Sequence, residues 1–203
     1  MKKALLYVVI FIAIIFVIVS IFPKKKIANY PSSGTDIIVY GDSLVQGVGS
    51  THGGDFVSVL SRKSGRPIVN LGHSGDTTAD GLARIADLDK YNPKVVLLLL
   101  GGNDYLKKIP ANETEANLIK MIRIIQSKGA IVILLGVRGG LLTDHFERMY
   151  EDLSVKYETA YVEDVLRGLI FNKNYMFDTI HPNNAGYALI AEKIYPTLER
   201  VLR

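Results

Sequence analysis

Residues 36–44 of this chain read Asp-Ile-Ile-Val-Tyr-Gly-Asp-Ser-Leu. An apolar run that does not alternate with polar residues is typical of a strand covered on both faces, as in a parallel sheet. In open sheets of this kind, ligands bind beyond the carboxyl ends of the strands. We therefore expect a buried strand over Asp36–Tyr40 and chemically active residues directly after it.

The same arrangement recurs along the chain, because short apolar runs alternate with amphipathic segments. The predicted strands are Asp36–Tyr40, Pro67–Leu71, Val95–Leu100, Ile131–Leu135 and Ala160–Val162. Helices are predicted near residues 56–65, 82–89 and 113–128, over a charged, exposed segment at 143–158, and over 187–201, where Pro196 should introduce a kink. This alternation implies right-handed crossovers and an α/β fold, a three-layer α/β/α sandwich around a parallel sheet of about five strands.

The N-terminal segment has a different composition from the rest of the chain. Residues 4–22 contain no charge, and lysines flank them on both sides. At about 1.5 Å of rise per residue, a helix of this length covers roughly the 30 Å hydrocarbon thickness of a bilayer. The alternative is a cleavable signal peptide, but its apolar region is usually about 7–15 residues long and ends at a small-residue cleavage site. We therefore predict a single-pass transmembrane anchor over 1–26, a linker over 27–35 and one catalytic domain over 36–203.

Charge and cysteine content exclude several classes of function. The net charge is +4, but residues 27–203 carry 19 basic and 20 acidic side chains, so the basic excess belongs to the membrane flanks. A nucleic-acid-binding surface is therefore not expected. The chain has no Cys and four His, which excludes disulfides and thiol nucleophiles and gives no zinc-ligand spacing. We expect no metal, no cofactor and a monomer.

Four polar segments follow the predicted strands or lie near the C-terminus. They contain Ser43, Gly75, Asn103 and the pair Asp178 and His181. Each segment alone is consistent with an ordinary turn. Together they supply a hydroxyl nucleophile, glycine-bearing turns, a side-chain amide and an Asp/His pair, which are the groups that acyl transfer needs.

The spacing of these residues predicts their roles. A Ser43 hydroxyl needs an imidazole to remove its proton, and Asp178 lies three residues before His181, close enough to orient it. The backbone N–H groups of Ser43 and Gly75 and the side-chain amide of Asn103 are the predicted oxyanion donors.

Several nearby residues have competing interpretations. Ser74 lies in a Gly-His-Ser-Gly sequence but lacks the final glycine of a nucleophile elbow, so we interpret it as a turn residue. His73 either lines the pocket or packs at its rim. Asp42 and Asp104 are expected to hold their turns through hydrogen bonds to the backbone. Residues 105–109 are either a wall of the acyl pocket or a loop before the next helix.

The four segments also resemble the conserved blocks of the GDSL/SGNH hydrolase family. Gly41-Asp42-Ser43-Leu44 resembles block I, Gly75 the block II glycine, Asn103 the block III asparagine and Asp178-x-x-His181 block V. The phrase Ser74-Gly75-Asp76-Thr77, followed by Gly81-Leu82-Ala83-Arg84, is most similar to bacterial single-domain arylesterases, lysophospholipases and thioesterases. The resemblance covers about residues 36–195. It implies a flavodoxin-like sandwich and metal-free hydrolysis through an acyl-enzyme.

The expected function is a serine esterase that acts on acyl esters, with a lipid, lysophospholipid, aryl ester or thioester as substrate. Three alternatives stay open at this point: a carbohydrate O-acetylesterase, an acyltransferase, and a catalytically silent binding module on the same fold. The lysines on the two sides of the apolar segment barely decide its orientation in the membrane. Resemblance to exported esterases favours a catalytic domain outside the cytoplasm.

Overall fold

A computed structural model describes residues 26–137 and 145–203. The predicted anchor over 1–26 lies almost entirely outside these residues. Within the described ranges, none of the helices combines the length and apolar character that a bilayer crossing needs. The anchor therefore stays a prediction, whereas the residues of the predicted linker, 27–35, are within the described range.

The described residues form one parallel sheet of five strands in the order β2-β1-β3-β4-β5. The strands are β1 (Asp36–Gly41), β2 (Ile68–Gly72), β3 (Pro93–Leu99), β4 (Ile131–Leu135) and β5 (Ala160–Val162). The sequence-predicted fold class and strand number are confirmed. One detail differs: β2 is an edge strand and only half-buried, so its apolar run is not covered on both faces.

Seven α-helices and one 3₁₀ helix accompany the sheet in the described part of the chain. They are α1 (Ser43–Gln46), α2 (Phe56–Ser64), α3 (Thr78–Ala83), the 3₁₀ helix (Ile85–Lys90), α4 (Gly102–Leu106), α5 (Ala111–Ser127), α6 (His145–Lys156) and α7 (Asn184–Leu202). Helix α7 continues through Pro196.

Two apolar clusters, one on each face of the sheet, give the three layers. Alternate strand residues such as Val39 and Leu97 point to the face covered by α2 and α7, where the rings of Phe56 and Tyr187 stack at 6.3 Å. The intervening residues point to the face covered by α5 and α6. This alternation explains why the strands are apolar throughout their length.

Two helix predictions need correction. The single helix predicted near 82–89 is an α-helix followed by a 3₁₀ helix, because a capping box between Thr77 and Asp80 starts α3 earlier and α3 ends at Ala83. The segment predicted as charged and exposed buries one side of α6 in the core, through Phe146, Met149, Tyr150 and Leu153.

Strand order places the site. Strand β1 lies between β2 and β3. The crossover from β1 to β2 runs toward one side of the sheet, and the later crossovers run toward the other side. The loops after these three strands carry Ser43, Gly75 and Asn103 at one edge of the sheet. A ligand crevice is expected at such a switch point.

Candidate active site

Ser43 lies at the first position of the short helix that follows β1. Asp42 caps this helix, because its Oδ1 accepts a hydrogen bond from the Leu44 N–H at 3.0 Å. The turn before it must be tight: a Cβ at Gly41 would lie 2.1 Å from the carbonyl oxygen of Leu99. Glycine thus lets β1 pass close to β3 immediately before the Ser43 hydroxyl is presented.

Ser43, His181 and Asp178 form one hydrogen-bonded chain. The distance from His181 Nε2 to Ser43 Oγ is 3.0 Å, and that from His181 Nδ1 to Asp178 Oδ2 is 2.7 Å. Ser43 is buried, whereas the Asp178 side chain is 41% exposed. The structure therefore brings these three sequence-predicted residues together, in an order that suits a nucleophile, a base and an orienting carboxylate.

Hydrogen bonds favour the ionised form of Asp178. Burial works to raise the pKa of this carboxyl, but bonds from the His181 ring and from the backbone N–H groups of Ile180 and His181 outweigh it, so the net pKa is lowered. A charged carboxylate at this position holds the proton of the imidazole on Nδ1 and leaves Nε2 to face the serine.

The loop that carries the pair is fixed at both ends. The Phe177 N–H donates to the His181 carbonyl oxygen at 2.8 Å, and Met176 and Pro182 form an antiparallel bridge. Asn183 then caps α7 by accepting hydrogen bonds from the first N–H groups of the helix. These contacts orient His181 without relying on Ser43.

The predicted oxyanion residues lie on the two neighbouring loops. The Asn103 side-chain amide donates to the carbonyl oxygen of Asp76 at 2.9 Å, which ties the loop after β3 to the loop after β2. Gly75 has a φ of 87°, in the left-handed region that favours glycine. Ser43 and Asn103 line the cavity described below, whereas Gly75 is not among its described lining residues.

Arg84 organises this edge of the sheet, and sequence reasoning gave it no role. Its guanidinium donates to the Asp76 carboxylate at 2.6 Å, to the Gly41 carbonyl at 2.8 Å and to the Leu71 carbonyl at 3.2 Å. It also lies 4.2 Å from the centre of the Tyr40 ring. The planar five-donor group thus joins the ends of β1 and β2 to Asp76. The only signal in the sequence was its place in the family-like phrase ending at Arg84.

We expect Arg84→Met to destabilise the fold by about 2–3 kcal/mol, because it leaves the buried Asp76 carboxylate without its main partner. For a domain of this size, that corresponds to a fall of roughly 5–10 °C in the thermal unfolding midpoint. Arg62→Met is the matched control, since Arg62 makes an exposed bond to the Gly53 carbonyl. Equal shifts in the two variants would show that the Arg84 contacts contribute nothing special.

A cavity of about 520 Å³ opens beside Ser43 and His181. Its described walls are mainly apolar, and they include Leu44, Val137, Phe146, Leu166 and Ile170. This volume is within the usual range for small-molecule sites. Tyr105 and Leu106 belong to α4 and line the cavity, so the interpretation of residues 105–109 as a pocket wall holds for these two.

The competing serine and histidines lie elsewhere. Ser74 is exposed, and its backbone N–H donates to Gln46 Oε1. The His73 ring is 72% exposed and its Nδ1 lies 2.8 Å from Asp76 Oδ1, so His73 is at the surface and not in the described cavity lining. His52 is exposed as well.

Asp42 and Asp104 have structural contacts. Asp42 holds its own turn as expected, whereas Asp104 holds the start of α3 by accepting from the Thr78 N–H at 2.8 Å. Burial raises the pKa of the Asp42 carboxyl to about 7. The Leu44 N–H opposes this rise, and the nearby Asp76 and Asp104 charges add to it.

Within residues 26–137 and 145–203, no three His, Asp or Glu side chains come together as a metal site. The expectation of a metal-free and cofactor-free reaction stays a prediction.

Comparison with known proteins finds relatives over most of this chain. The sequence model of the GDSL-like lipase/acylhydrolase family matches residues 39–189. The esterase TesA of Pseudomonas aeruginosa is 32% identical over 178 residues, which cover 82% of this chain and 89% of the relative. The thioesterase 1/protease 1/lysophospholipase L1 of Escherichia coli is 28% identical over 77% of this chain and 79% of its own length.

A solved structure of TesA superimposes with a TM-score of 0.76 and 31% identity, covering 82% of this chain and 99% of that chain. The family match spans most of the sequence and contains Ser43, Gly75, Asn103, Asp178 and His181. The chain therefore belongs to the GDSL-like lipase/acylhydrolase family and is a hydrolase of ester bonds.

Proposed function

We propose that this protein is a serine esterase that cleaves acyl esters through a covalent acyl-enzyme on Ser43. The observation that carries the proposal is the chain from Ser43 Oγ through His181 to Asp178, with hydrogen-bond distances of 3.0 and 2.7 Å. Its order and geometry are those of a serine nucleophile with its base.

In the first half-reaction, Ser43 Oγ attacks the ester carbonyl while His181 Nε2 takes its proton. His181 then gives that proton to the leaving alcohol or thiol as the bond to it breaks. The N–H groups of Ser43 and Gly75 and the amide of Asn103 stabilise the oxyanion. In the second half-reaction, His181 takes a proton from water, and the resulting hydroxide attacks the acyl carbon. The bond from that carbon to Ser43 Oγ then breaks, His181 returns the proton to Oγ, and the acid leaves. Asp178 stays ionised and stabilises the charged imidazole throughout.

The apolar cavity beside Ser43 favours an acyl group larger than acetyl as substrate. Each methylene that leaves water contributes about 0.8 kcal/mol, so kcat/KM is expected to rise roughly fourfold per added carbon until the cavity is full. A series of p-nitrophenyl esters and thioesters of increasing acyl length, with acetyl-xylan alongside, tests this. Preference for acetyl-xylan would instead support a carbohydrate O-acetylesterase.

We expect Asn103→Ala to lower kcat by roughly 10²–10³, since it removes one oxyanion donor and keeps the nucleophile. A fluorophosphonate probe should still label the variant, but more slowly than the native chain. Asn29→Ala is a suitable control because Asn29 hydrogen-bonds Ala130 at the opposite edge of the sheet. Unchanged turnover in Asn103→Ala would remove the side-chain amide from the mechanism.

The N-terminal segment adds a proposal about location. Residues 4–22 are uncharged, mostly apolar and long enough to cross a membrane as a helix. We propose that this helix anchors the chain and that the catalytic domain lies outside the cytoplasm. A reporter fused to the C-terminus tests the orientation. Activity of a reporter that works only in the cytoplasm would overturn it.

A further inference from the structure

Residues 27–35 lie against the domain as a strap across the amino ends of three strands. The strap begins near the start of β5, passes the turn before β4 and reaches the turn before β3, from where the chain enters β1. Its hydrogen bonds join Ala28 N to Glu158 O at 2.8 Å, Asn29 Nδ2 to Gln126 O at 2.8 Å and to Ala130 O at 3.0 Å, Ser32 Oγ to Gly129 O at 2.7 Å, and Thr35 N to Asn92 O at 2.9 Å.

The strap fixes where the N-terminal segment meets the domain. Ile27 packs against the core cluster, and Lys26 Nζ lies 3.1 Å from Glu158 Oε2. Both contacts are at the amino-end edge of the sheet, whereas Ser43 and the cavity are at the carboxyl-end edge. Strand β3 has seven residues, which at about 3.3 Å each separate the two edges by roughly 20 Å.

The chain between the apolar segment and the strap is too short to let the domain turn over. Residues 23–26 span at most about 14 Å when fully extended. A domain of this length has a radius of gyration of about 15 Å and is therefore about 40 Å across. With the strap docked, the amino-end edge stays next to the membrane and the cavity opens away from it.

This orientation changes the meaning of the apolar rim around the cavity mouth. Tyr105, Leu106, Phe171 and Ile180 line the cavity and expose 42%, 53%, 75% and 40% of their surfaces. An exposed apolar rim of this kind often marks contact with a lipid surface or an apolar ligand. The strap directs the rim away from the bilayer that holds the anchor. The rim residues are therefore expected to contact the acyl group of an incoming ester.

We propose that the enzyme takes acyl esters that arrive from the aqueous side and spares esters in the bilayer of its own anchor. The inference rests on the proposed esterase function and on the proposed anchor. It assigns the strap a role in selecting substrates by their location.

The experiment uses the full chain, inserted from detergent into preformed phosphatidylcholine vesicles. The probe is a fluorogenic butyrate ester linked to the headgroup of phosphatidylethanolamine, because the two acyl chains of this lipid keep it in its vesicle. The probe is placed either in the enzyme-bearing vesicles or in separate enzyme-free vesicles. The same fluorogenic ester without the lipid measures intrinsic activity and normalises the rates.

A variant with about 40 Gly/Ser residues inserted between Lys26 and Ile27 serves as the comparison, since such a tether has a root-mean-square length of about 35 Å. A two-residue Gly-Ser insertion at the same junction is the matched control, because it adds too little reach. In the long variant the tether gives the domain a high effective concentration at its own membrane.

For the probe in the same vesicles, we expect the native chain and the short-insertion control to be at least about tenfold slower than the long variant. All three should hydrolyse the soluble ester and the probe in separate vesicles at rates within about twofold. Equal same-vesicle rates in the native chain and the long variant would overturn the inference. Failure of the native chain to float with vesicles would also overturn the inference, because it would show that the chain is not anchored in the membrane. Absence of soluble-ester turnover in all three would instead show that the proposed function itself is wrong.

Discussion

Replacing Ser43 by alanine is expected to lower kcat by a factor of about 10⁵ or more and to abolish labelling by a fluorophosphonate probe. The hydroxyl is the group that forms the covalent acyl-enzyme, and the residual rate would come only from substrate binding and the oxyanion donors. The side chain is buried against His181, and removing one oxygen should leave the fold intact. The measurements are initial rates on a p-nitrophenyl ester and mass-spectrometric detection of the labelled residue.

Ser74 provides the matched control for this experiment. It also follows a strand and lies in a glycine-bearing turn, but it is exposed and its backbone contacts Gln46. Ser74→Ala should therefore be labelled and active at nearly the native level. Labelling that survives Ser43→Ala and disappears in Ser74→Ala would move the nucleophile to the loop after β2, and the Gly75 assignment would fall with it.

The second large effect is expected for His181→Ala, with a loss of about 10⁴–10⁶ in kcat and little change in KM. Without the imidazole 3.0 Å from Ser43 Oγ, the hydroxyl keeps its proton and the leaving group receives none. The backbone N–H groups that bond Asp178 are retained in the variant, so the loop should stay folded. Circular dichroism and thermal unfolding would establish that the fold persists while the rates are measured.

The chain offers a close control for the histidine as well. His73 and Asp76 form a second His/Asp pair three residues apart, with a ring-to-carboxylate distance of 2.8 Å against 2.7 Å for His181 and Asp178. The His73 ring is mostly exposed and faces no serine hydroxyl among its described contacts. His73→Ala should therefore keep kcat within about threefold of native, since surface substitutions usually have small effects. Comparable losses in the two variants would contradict the assignment of the base to His181.

The fold could be predicted from sequence because the three inner strands, β1, β3 and β4, are buried on both faces. Apolar runs such as 131–135 and 160–162 have the same bounds in the structure as in the sequence prediction. The helix after β2 was harder, since the capping box at Thr77 starts it before the first apolar residue of the pattern. The burial of one side of α6 could have been predicted, because its buried residues have the i, i+3, i+4, i+7 spacing of an apolar helix face: Phe146, Met149, Tyr150 and Leu153.

The candidate site, too, could be predicted from sequence only in part. Ser43, Asn103, Asp178 and His181 were predicted because each belongs to a short local motif, and the parallel sheet then brings the loops together. Arg84 was not predicted, because its role depends on carbonyl oxygens of two strands whose register is a property of the folded sheet. The rim residue Phe171 lies in an irregular loop with no periodic pattern, so its place at the cavity could not be predicted from the residues around it.

The hydrogen bond between Ser43 and His181 joins two positions that are 138 residues apart in the chain. At a synthesis rate of about 5–20 residues per second, the ribosome needs roughly 7–28 s to pass from the serine to the histidine. Throughout that interval the growing chain contains a nucleophile without its base, and the loop of His181 is held in place only after α7 has been made. Esterase activity is thus expected to begin only after residues 184–202 have been synthesised and have folded onto the sheet.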